Sequence, residues 1–268
     1  MTLGPAAASL DGAVAVVTGA GAGIGRGIAG GLAAFGASVA IWERDAESAH
    51  AAARECGGLA VVVDVREADE VDDALKLTIE RFGPVSVLVN NAGGVFSSSI
   101  LETSENGWFA LYRANLSHVL LCSQRVARSM IEHEVAGTII NVTSIEGVRA
   151  APGYAAYAAA KAGVINFTKT AALEFATHGI RVNALAPDIT LTEGLISVAP
   201  EGIEDSFADT VPLGRAGHVD EMAGAAVFLA SQLSSYVTGE TLHIDGGTHA
   251  AGGWHHAQDG DGYILGPG

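Results

Sequence analysis

Thr18-Gly19-Ala20-Gly21-Ala22-Gly23-Ile24-Gly25 decides how the rest of the chain is read. It follows the apolar run Ala13-Val14-Ala15-Val16-Val17 and opens a helical stretch from about Ile24 to Phe35. Glycines let the backbone turn tightly and let a pyrophosphate approach a helix N-terminus, where free N–H groups and the helix dipole favour an anion. A glycine-rich turn alone says little; a strand before it and a helix after it make it a dinucleotide-binding turn through Gly19, Gly23, Ile24 and Gly25. The next strand, Ser38-Val39-Ala40-Ile41-Trp42, ends in Glu43. A carboxylate there accepts hydrogen bonds from the adenosine ribose hydroxyls and repels a 2′-phosphate.

Outward from this turn, apolar runs and helical patterns alternate. Leu59 to Val63 reads as a third strand, stopped by Asp64, and Val85 to Val89 as a fourth. Between them Val71, Leu75 and Ile79 recur at four-residue spacing, so Asp69 to Phe82 is an amphipathic helix broken by Gly83-Pro84. Long helices are predicted over about Trp108–Glu134 and Tyr154–Thr177, with strands at Thr138–Val142, Ile180–Leu185 and Thr241–Ile244 and a helix at Asp220–Ala230. Continuous apolar strands separated by helices mark a parallel sheet covered on both faces. The predicted fold is α/β: one doubly wound (Rossmann) domain over residues 1–247, a seven-stranded parallel sheet with helices on both faces. Two segments break the rhythm. Residues 187–213 carry Pro187, Pro200 and Pro212 and read as a substrate lid. The tail, residues 248–268, is rich in Gly, His and Asp and is expected to dock on the body or on a neighbouring subunit, because Trp254, Tyr263, Ile264 and Leu265 are costly to leave in water.

Bulk composition narrows the function classes. The 268 residues suit one large α/β domain, and 49% of them are hydrophobic, with mean hydropathy +0.33. Thirty acidic residues against 14 basic ones give a formal net charge of -16, which disfavours a nucleic-acid partner. The N-terminus shows no basic-then-apolar leader pattern and no apolar run is long enough to span a membrane, so the expectation is a cytoplasmic protein with no membrane partner. Cys56 and Cys122 do not make a disulfide framework. His249, His255, His256, Asp259 and Asp261 lack a metal-ligand spacing, and no metal is expected.

Tyr157 and Lys161 lie one helical turn apart and share a face. A nearby ammonium stabilises phenolate, so the pair predicts a tyrosine pKa lowered from about 10. Such a tyrosine protonates a ketone oxygen or deprotonates an alcohol. Ser144, at the end of the fifth strand, is placed to hydrogen-bond the substrate oxygen. Tyr154 has Ala158 one turn on instead of a lysine, and is expected to line the substrate pocket.

In these motifs and their order the chain resembles the short-chain dehydrogenase/reductase family over about Ala13 to Gly247. The turn fits the family pattern TGxxxGxG, and Tyr157 to Lys161 fits YxxxK. The resemblance implies further roles. Asp64 and Val65 meet the adenine; Asn91, Ala92 and Gly93, within Asn90-Asn91-Ala92-Gly93, border the cofactor; Asn115 holds a water that links Lys161 to solvent. Tyr157 and Lys161 also contact the nicotinamide ribose, while Pro187, Ile189 and Thr192 hold the carboxamide. Asp188 stands where the family usually has a glycine; it either keeps the turn or brings a carboxylate to the nicotinamide or substrate. Glu43 implies NAD, whereas Arg44 is a residue that NADP-users often place there. Relatives assemble as homotetramers or homodimers through the two long helices.

The functional expectation is an NAD(P)-dependent alcohol dehydrogenase/ketone reductase that moves a hydride between the nicotinamide and a small-molecule secondary alcohol or ketone. Asn115, Ser144, Tyr157 and Lys161 are its catalytic set. Ser144, Glu146, Tyr154 and Tyr157 face the substrate, in a wall that also takes in Arg149 and suits a medium-sized, partly apolar molecule. The alternatives are an NADPH-dependent 3-oxoacyl thioester reductase and a catalytically silent nucleotide-binding protein on the same fold.

Overall fold

The structure is a computed structural model that describes residues 3–198, 207, 210–257 and 262–265. Along the chain run β1 (Val14–Thr18), α1 (Gly23–Ala34), β2 (Ser38–Glu43), α2 (Ala46–Cys56), β3 (Leu59–Val62), α3 (Ala68–Phe82) and β4 (Val87–Asn90). The second half has α4 (Glu105–Tyr112), α5 (His118–Glu132), β5 (Thr138–Val142), α6 (Ala155–Phe175), β6 (Arg181–Pro187), β7 (Thr190–Leu191), α7 (Glu193–Val198), β8 (Gly217–His218), α8 (Val219–Ala230) and β9 (Thr241–Ile244).

Seven strands form one sheet in the order β3-β2-β1-β4-β5-β6-β9, every neighbouring pair parallel. This is the predicted doubly wound architecture. Strands β1, β4 and β5 are buried at every position, which is why their sequences run apolar instead of alternating. On one face Ile28 and Leu32 of α1 pack with Met222 and Val227 of α8 and the alanines of α2. On the other, Val71 and Leu75 of α3 pack with Val126 and Met130 of α5 and Ala171 of α6. The strand order reverses between β1 and β4, and the crevice at that switch point is where open α/β sheets bind ligands.

The long helix predicted over Trp108–Glu134 differs in the structure. It starts at Glu105, because the Ser104 hydroxyl accepts a hydrogen bond from the Gly107 N–H at 3.2 Å and caps it. It is also interrupted by one π-helical turn, Arg113–Ser117. The cause sits within that turn. The Asn115 amide donates to the Leu111 carbonyl at 3.0 Å and to the Gly94 carbonyl at 2.7 Å, so a side chain takes over the preceding turn's acceptor. Of the expected lid, residues 199–206, 208 and 209 lie outside the described residues; β7, near its start, pairs in parallel with β8, just beyond its end. Beyond Gly247 come a short helix, α9 (Thr248–Ala251), and an antiparallel hairpin of β10 (Trp254–His256) and β11 (Tyr263–Leu265). The His256 ring bonds the Pro212 carbonyl at 3.1 Å, and the Leu213 N–H donates to the Gly246 carbonyl, so this segment lies against Pro212 and Leu213. Among the described residues no helix is long and apolar enough to cross a membrane.

Helices α1 and α8 touch across glycine. A Cβ on Gly31 meets the Ala223 Cβ at 2.7 Å, and one on Gly27 meets the Val219 Cβ at 2.7 Å. Helix propensity favours replacing Gly31, by up to about 1 kcal/mol for alanine, but overpacking costs about 1–3 kcal/mol. Gly31→Val therefore lowers stability by roughly 1–3 kcal/mol, read as an earlier urea midpoint with unchanged slope. A midpoint at or above wild type contradicts the close helix contact.

Candidate active site

The cleft at the switch point has a volume of about 550 Å³. Its floor is held by backbone and short side chains at the ends of β1 and β4. The buried Thr18 hydroxyl accepts from the N–H groups of Asn91 and Ala92, both at 3.0 Å. The Asn91 amide donates back to the carbonyls of Thr18 and Gly19, both at 3.0 Å. Gly19, at φ 61°, then passes so close that an added Cβ would lie 2.7 Å from the Ala92 Cα. Gly25 is packed the same way against Asn91 and the Gly19 carbonyl, so it lies beneath the turn and not on the cleft wall. Ala22 starts α1 without a side-chain cap, which leaves the first N–H groups of the helix to an anion.

At one end of the cleft Glu43 is fixed entirely by backbone. Its carboxylate accepts from the N–H groups of Gly21 at 3.3 Å, Arg44 at 2.8 Å and Asp45 at 3.2 Å. A Cβ on Gly21 would strike Ser48 and the Glu43 side chain, so this glycine makes room for the carboxylate. Asp64 is clamped by Arg66, whose Nε reaches both carboxylate oxygens at 2.8 and 3.1 Å. That guanidinium holds the Asp64 carboxyl down at about 2. Arg44 and Arg66 both line the cleft here, beside Trp42 and Val65.

At the other end stand Ser144, Tyr157, Lys161 and Asn115. Ser144 caps the turn after β5, its hydroxyl accepting from the Glu146 N–H at 3.2 Å, and it hydrogen-bonds Tyr157. Lys161 is 4% exposed, donates to the Val142 carbonyl at 2.9 Å, and sits 5.6 Å from the centre of the Tyr157 ring. Burial lowers its pKa to about 8. The π-turn carries the Asn115 side chain inward to Gly94, whose N–H donates to it at 3.3 Å. The expected lowering of the Tyr157 pKa is not what this arrangement gives. Burial of the phenol raises it, the Ser144 hydrogen bond opposes that rise, and the Glu146 charge adds to it.

The structure thus brings Gly19, Ile24, Glu43, Asp64, Val65, Asn91, Ala92, Gly93, Asn115, Ser144, Tyr157, Lys161 and Pro187 into one cleft. Gly23, Ile189, Thr192, Glu146 and Tyr154 lie off its wall. A Cβ on Gly23 would touch the Thr192 methyl at 3.4 Å; Thr192 caps α7 through the Leu195 N–H; Ile189 packs with Phe207 and Val211. Tyr154 begins α6 half in solvent, and Glu146 is bound to Arg149. Sequence reasoning missed Trp42, Thr143 and Arg66, and the buried His118, which burial pushes down to about 3 and keeps neutral beside Ala92 and Lys161. His118 carried a signal: a histidine on the buried face of a helix, one turn after Asn115. Among the described residues no group of three or more metal-ligating side chains is placed to hold an ion.

Comparison with known proteins agrees with this geometry. A family model described as enoyl-(acyl carrier protein) reductase matches residues 19–249. A 3-oxoacyl-(acyl-carrier-protein) reductase of Synechocystis sp. is 41% identical over 246 residues, 89% of this chain and 98% of that protein. A gluconate 5-dehydrogenase of Gluconobacter oxydans is 41% identical over 245 residues, 89% of this chain and 95% of that protein. The crystal structure of a gluconate 5-dehydrogenase from Burkholderia cenocepacia in complex with NADP and tartrate superposes with TM-score 0.84 at 40% identity, over 91% of this chain and 98% of that one.

The buried ammonium has a consequence for stability. Lys161 holds its proton less tightly when folded, at about 8, than in the unfolded chain, near 10.5. Between those values unfolding takes up a proton, so stability rises with pH; below about 8 the full burial cost is present. Lys161→Met therefore stabilises the nucleotide-free protein most below about pH 8, and the margin shrinks toward pH 10.5. Thermal melts across that range check the sign; a variant less stable than wild type at neutral pH contradicts it.

Proposed function

The chain belongs to the short-chain dehydrogenase/reductase family and is an oxidoreductase, and we propose that it interconverts a secondary alcohol and the matching ketone at the Ser144–Tyr157 end of the cleft. The observation that carries this is the convergence of Ser144, Tyr157, Lys161 and Asn115 at one end of a cleft whose other end presents Glu43 beside an uncapped helix N-terminus. A nicotinamide dinucleotide bound there supplies or receives the hydride. Glu43, Asp64 and Val65 would hold its adenosine half, Gly19 and Ile24 its pyrophosphate, and Asn91, Ala92, Gly93 and Pro187 its nicotinamide half, with Gly23, Ile189 and Thr192, off the cleft wall, in support.

Ser144 donates a hydrogen bond to the substrate oxygen and fixes its position. Tyr157 gives its phenolic proton to that oxygen during reduction, or takes the alcohol proton during oxidation. Because burial alone raises the tyrosine pKa, the phenolate depends on positive charge brought close to it. Lys161 supplies that charge from a site where the Val142 carbonyl holds it in place. Asn115, held by Gly94 and Leu111, continues the proton path from Lys161 toward solvent.

We favour NAD over NADP, since a Glu43 carboxylate bound by three backbone N–H groups cannot turn away from a 2′-phosphate. Arg44 and Arg66 at the same end give NADP a foothold, in keeping with a relative crystallised with NADP. The segment at about 187–213 serves as the lid. The protein works in the cytoplasm as a homotetramer or homodimer, and exposed Phe109, Leu120 and Leu173 on α4, α5 and α6 support that interface. A second reading, reduction of a 3-oxoacyl thioester, draws on the exposed Val95 and Phe96 beside the cleft and on the names of several relatives.

Tyr157→Phe lowers kcat for ketone reduction by about 10²–10⁴-fold while nucleotide still binds; near-wild-type kcat removes Tyr157 as the proton donor. Replacing Glu43 by Ser removes one carboxylate from the end of the cleft lined by Arg44 and by the Asp64-bound Arg66, so kcat/KM with NADP rises about tenfold relative to NAD. An unchanged ratio shows that Glu43 does not set nucleotide choice.

A further inference from the structure

Three loops from three strand ends meet beside Ser144 and Tyr157. The turn after β5 brings Glu146 and Arg149, the end of β6 brings Asp188, and the turn after β9 brings Thr248. Arg149 lies between two carboxylates. Its NH2 bonds Glu146 at 2.7 Å and Asp188 at 3.3 Å, and its Nε reaches Glu146 at 3.2 Å. The Asp188 side chain is only 8% exposed and lines the cleft next to Ser144, beside Thr248, whose hydroxyl donates to the Asp245 carbonyl at 2.8 Å. No other cation is paired with Glu146 or Asp188 among the described residues, so this cluster, of which Asp188 forms part of the cleft wall, carries two carboxylates against one guanidinium.

Such a wall is expensive beside an aliphatic substrate. Covering it with methylenes strips water from charged groups and returns no hydrogen bond. The structural reason for a charged residue at 188 is also weak, because the φ values above zero in this region belong to Gly246 and Gly247 and not to Asp188. Arg149 keeps its NH1 outside these bonds and is 40% exposed at the side chain, so it is fixed in place and still available. Carboxylates accept from hydroxyls, and a guanidinium fork donates to vicinal hydroxyls or to a carboxylate.

We infer that the Glu146–Arg149–Asp188 cluster at the edge of the cleft selects a polyhydroxylated substrate, with hydroxyls on the carbons beside the reacting one, and that Arg149 is its specificity-determining residue. This narrows the alcohol/ketone reading above and rests on it. It places Asp188, which lines the cleft, and the half-exposed Arg149 bound to it in contact with the substrate's flanking oxygens, while Glu146, off the cleft wall, positions Arg149. A site built to hydrogen-bond hydroxyls discriminates strongly against analogues that lack them, because its own polar groups are left unpaired.

The test is a panel of hexitols, cyclitols and aldonates against 2-alkanols such as 2-octanol, with NAD and NADP, read by nicotinamide absorbance. Wild type turns over at least one polyhydroxylated substrate with kcat/KM on the order of 100-fold or more above 2-octanol. Arg149→Met reduces that ratio by about 10–100-fold, chiefly through KM. Asp188→Asn, which keeps the shape and removes the charge that anchors Arg149, moves the ratio the same way and less. Nucleotide titration by fluorescence shows that both variants are folded. A loss confined to aldonates and a loss shared with neutral polyols both support the inference, and they separate a carboxylate partner from a hydroxyl one. Turnover of 2-octanol equal to or above the polyols, or an Arg149→Met ratio equal to wild type, overturns the inference and leaves the oxidoreductase reading standing. Turnover of no alcohol with either nucleotide overturns both.

Discussion

The hydrogen bonds between the ends of β1 and β4 are the constraint on which the site depends. Thr18 accepts two N–H groups from the chain after β4, and Asn91 returns two bonds to the chain after β1. At a switch point the crossovers on either side run in opposite directions, and nothing in the sheet ladder itself fixes how far the two loops stand apart. The four bonds fix it. They set the glycine turn against Ala92, which aims the start of α1 into the crevice, and they set where Gly93 and Gly94 meet Asn115. A second buried chain of amides, Asn90 to Asn141 and Asn141 to Thr168, ties β4 to β5 and α6 just below. Tyr157 and Lys161 ride on α6, so the two ends of the cleft are referenced to the same strand.

Charge is handled differently at the two ends. The Glu43 end meets its carboxylates with backbone N–H groups at Glu43 and with an arginine at Asp64, both partly open to water. The Tyr157 end keeps one ammonium almost fully buried with a carbonyl as its partner, and a phenol whose acidity its own burial reduces. The local cost of the buried ammonium is the kind of strain that active sites carry and that the surrounding sheet tolerates. Its neighbour His118, neutral and enclosed, adds no competing charge to that environment.

The sheet was legible because β1, β4 and β5 are buried on both sides and so read as unbroken apolar runs. The glycine turn, Glu43 and the Tyr157–Lys161 pair were legible because their spacing carries the chemistry locally. What escaped depends on contacts that spacing does not encode. The π-turn at Arg113–Ser117 has no glycine or proline to announce it and arises when Asn115 reaches Gly94 in a distant loop. Arg66 became visible only when its side chain folded back on Asp64. Arg149 and Asp188 are far apart in sequence and meet because β5 and β6 are neighbours. The sign of the Tyr157 shift went the other way for the same reason: helical spacing reports the lysine but not how much water the fold removes.

The two-residue pairing of β7 with β8 joins Thr190 to Gly217 and Leu191 to His218. In polymer terms that pairing closes the two ends of the connection from Leu191 to Gly217. Lengthening a closed loop is cheap, about 0.6 kcal/mol for each doubling. A change in the length of that connection therefore costs the seven-stranded sheet little, and Tyr157 and Lys161, carried on α6, stand outside it. A scaffold of this kind can vary the connection over evolutionary time at little cost in fold stability.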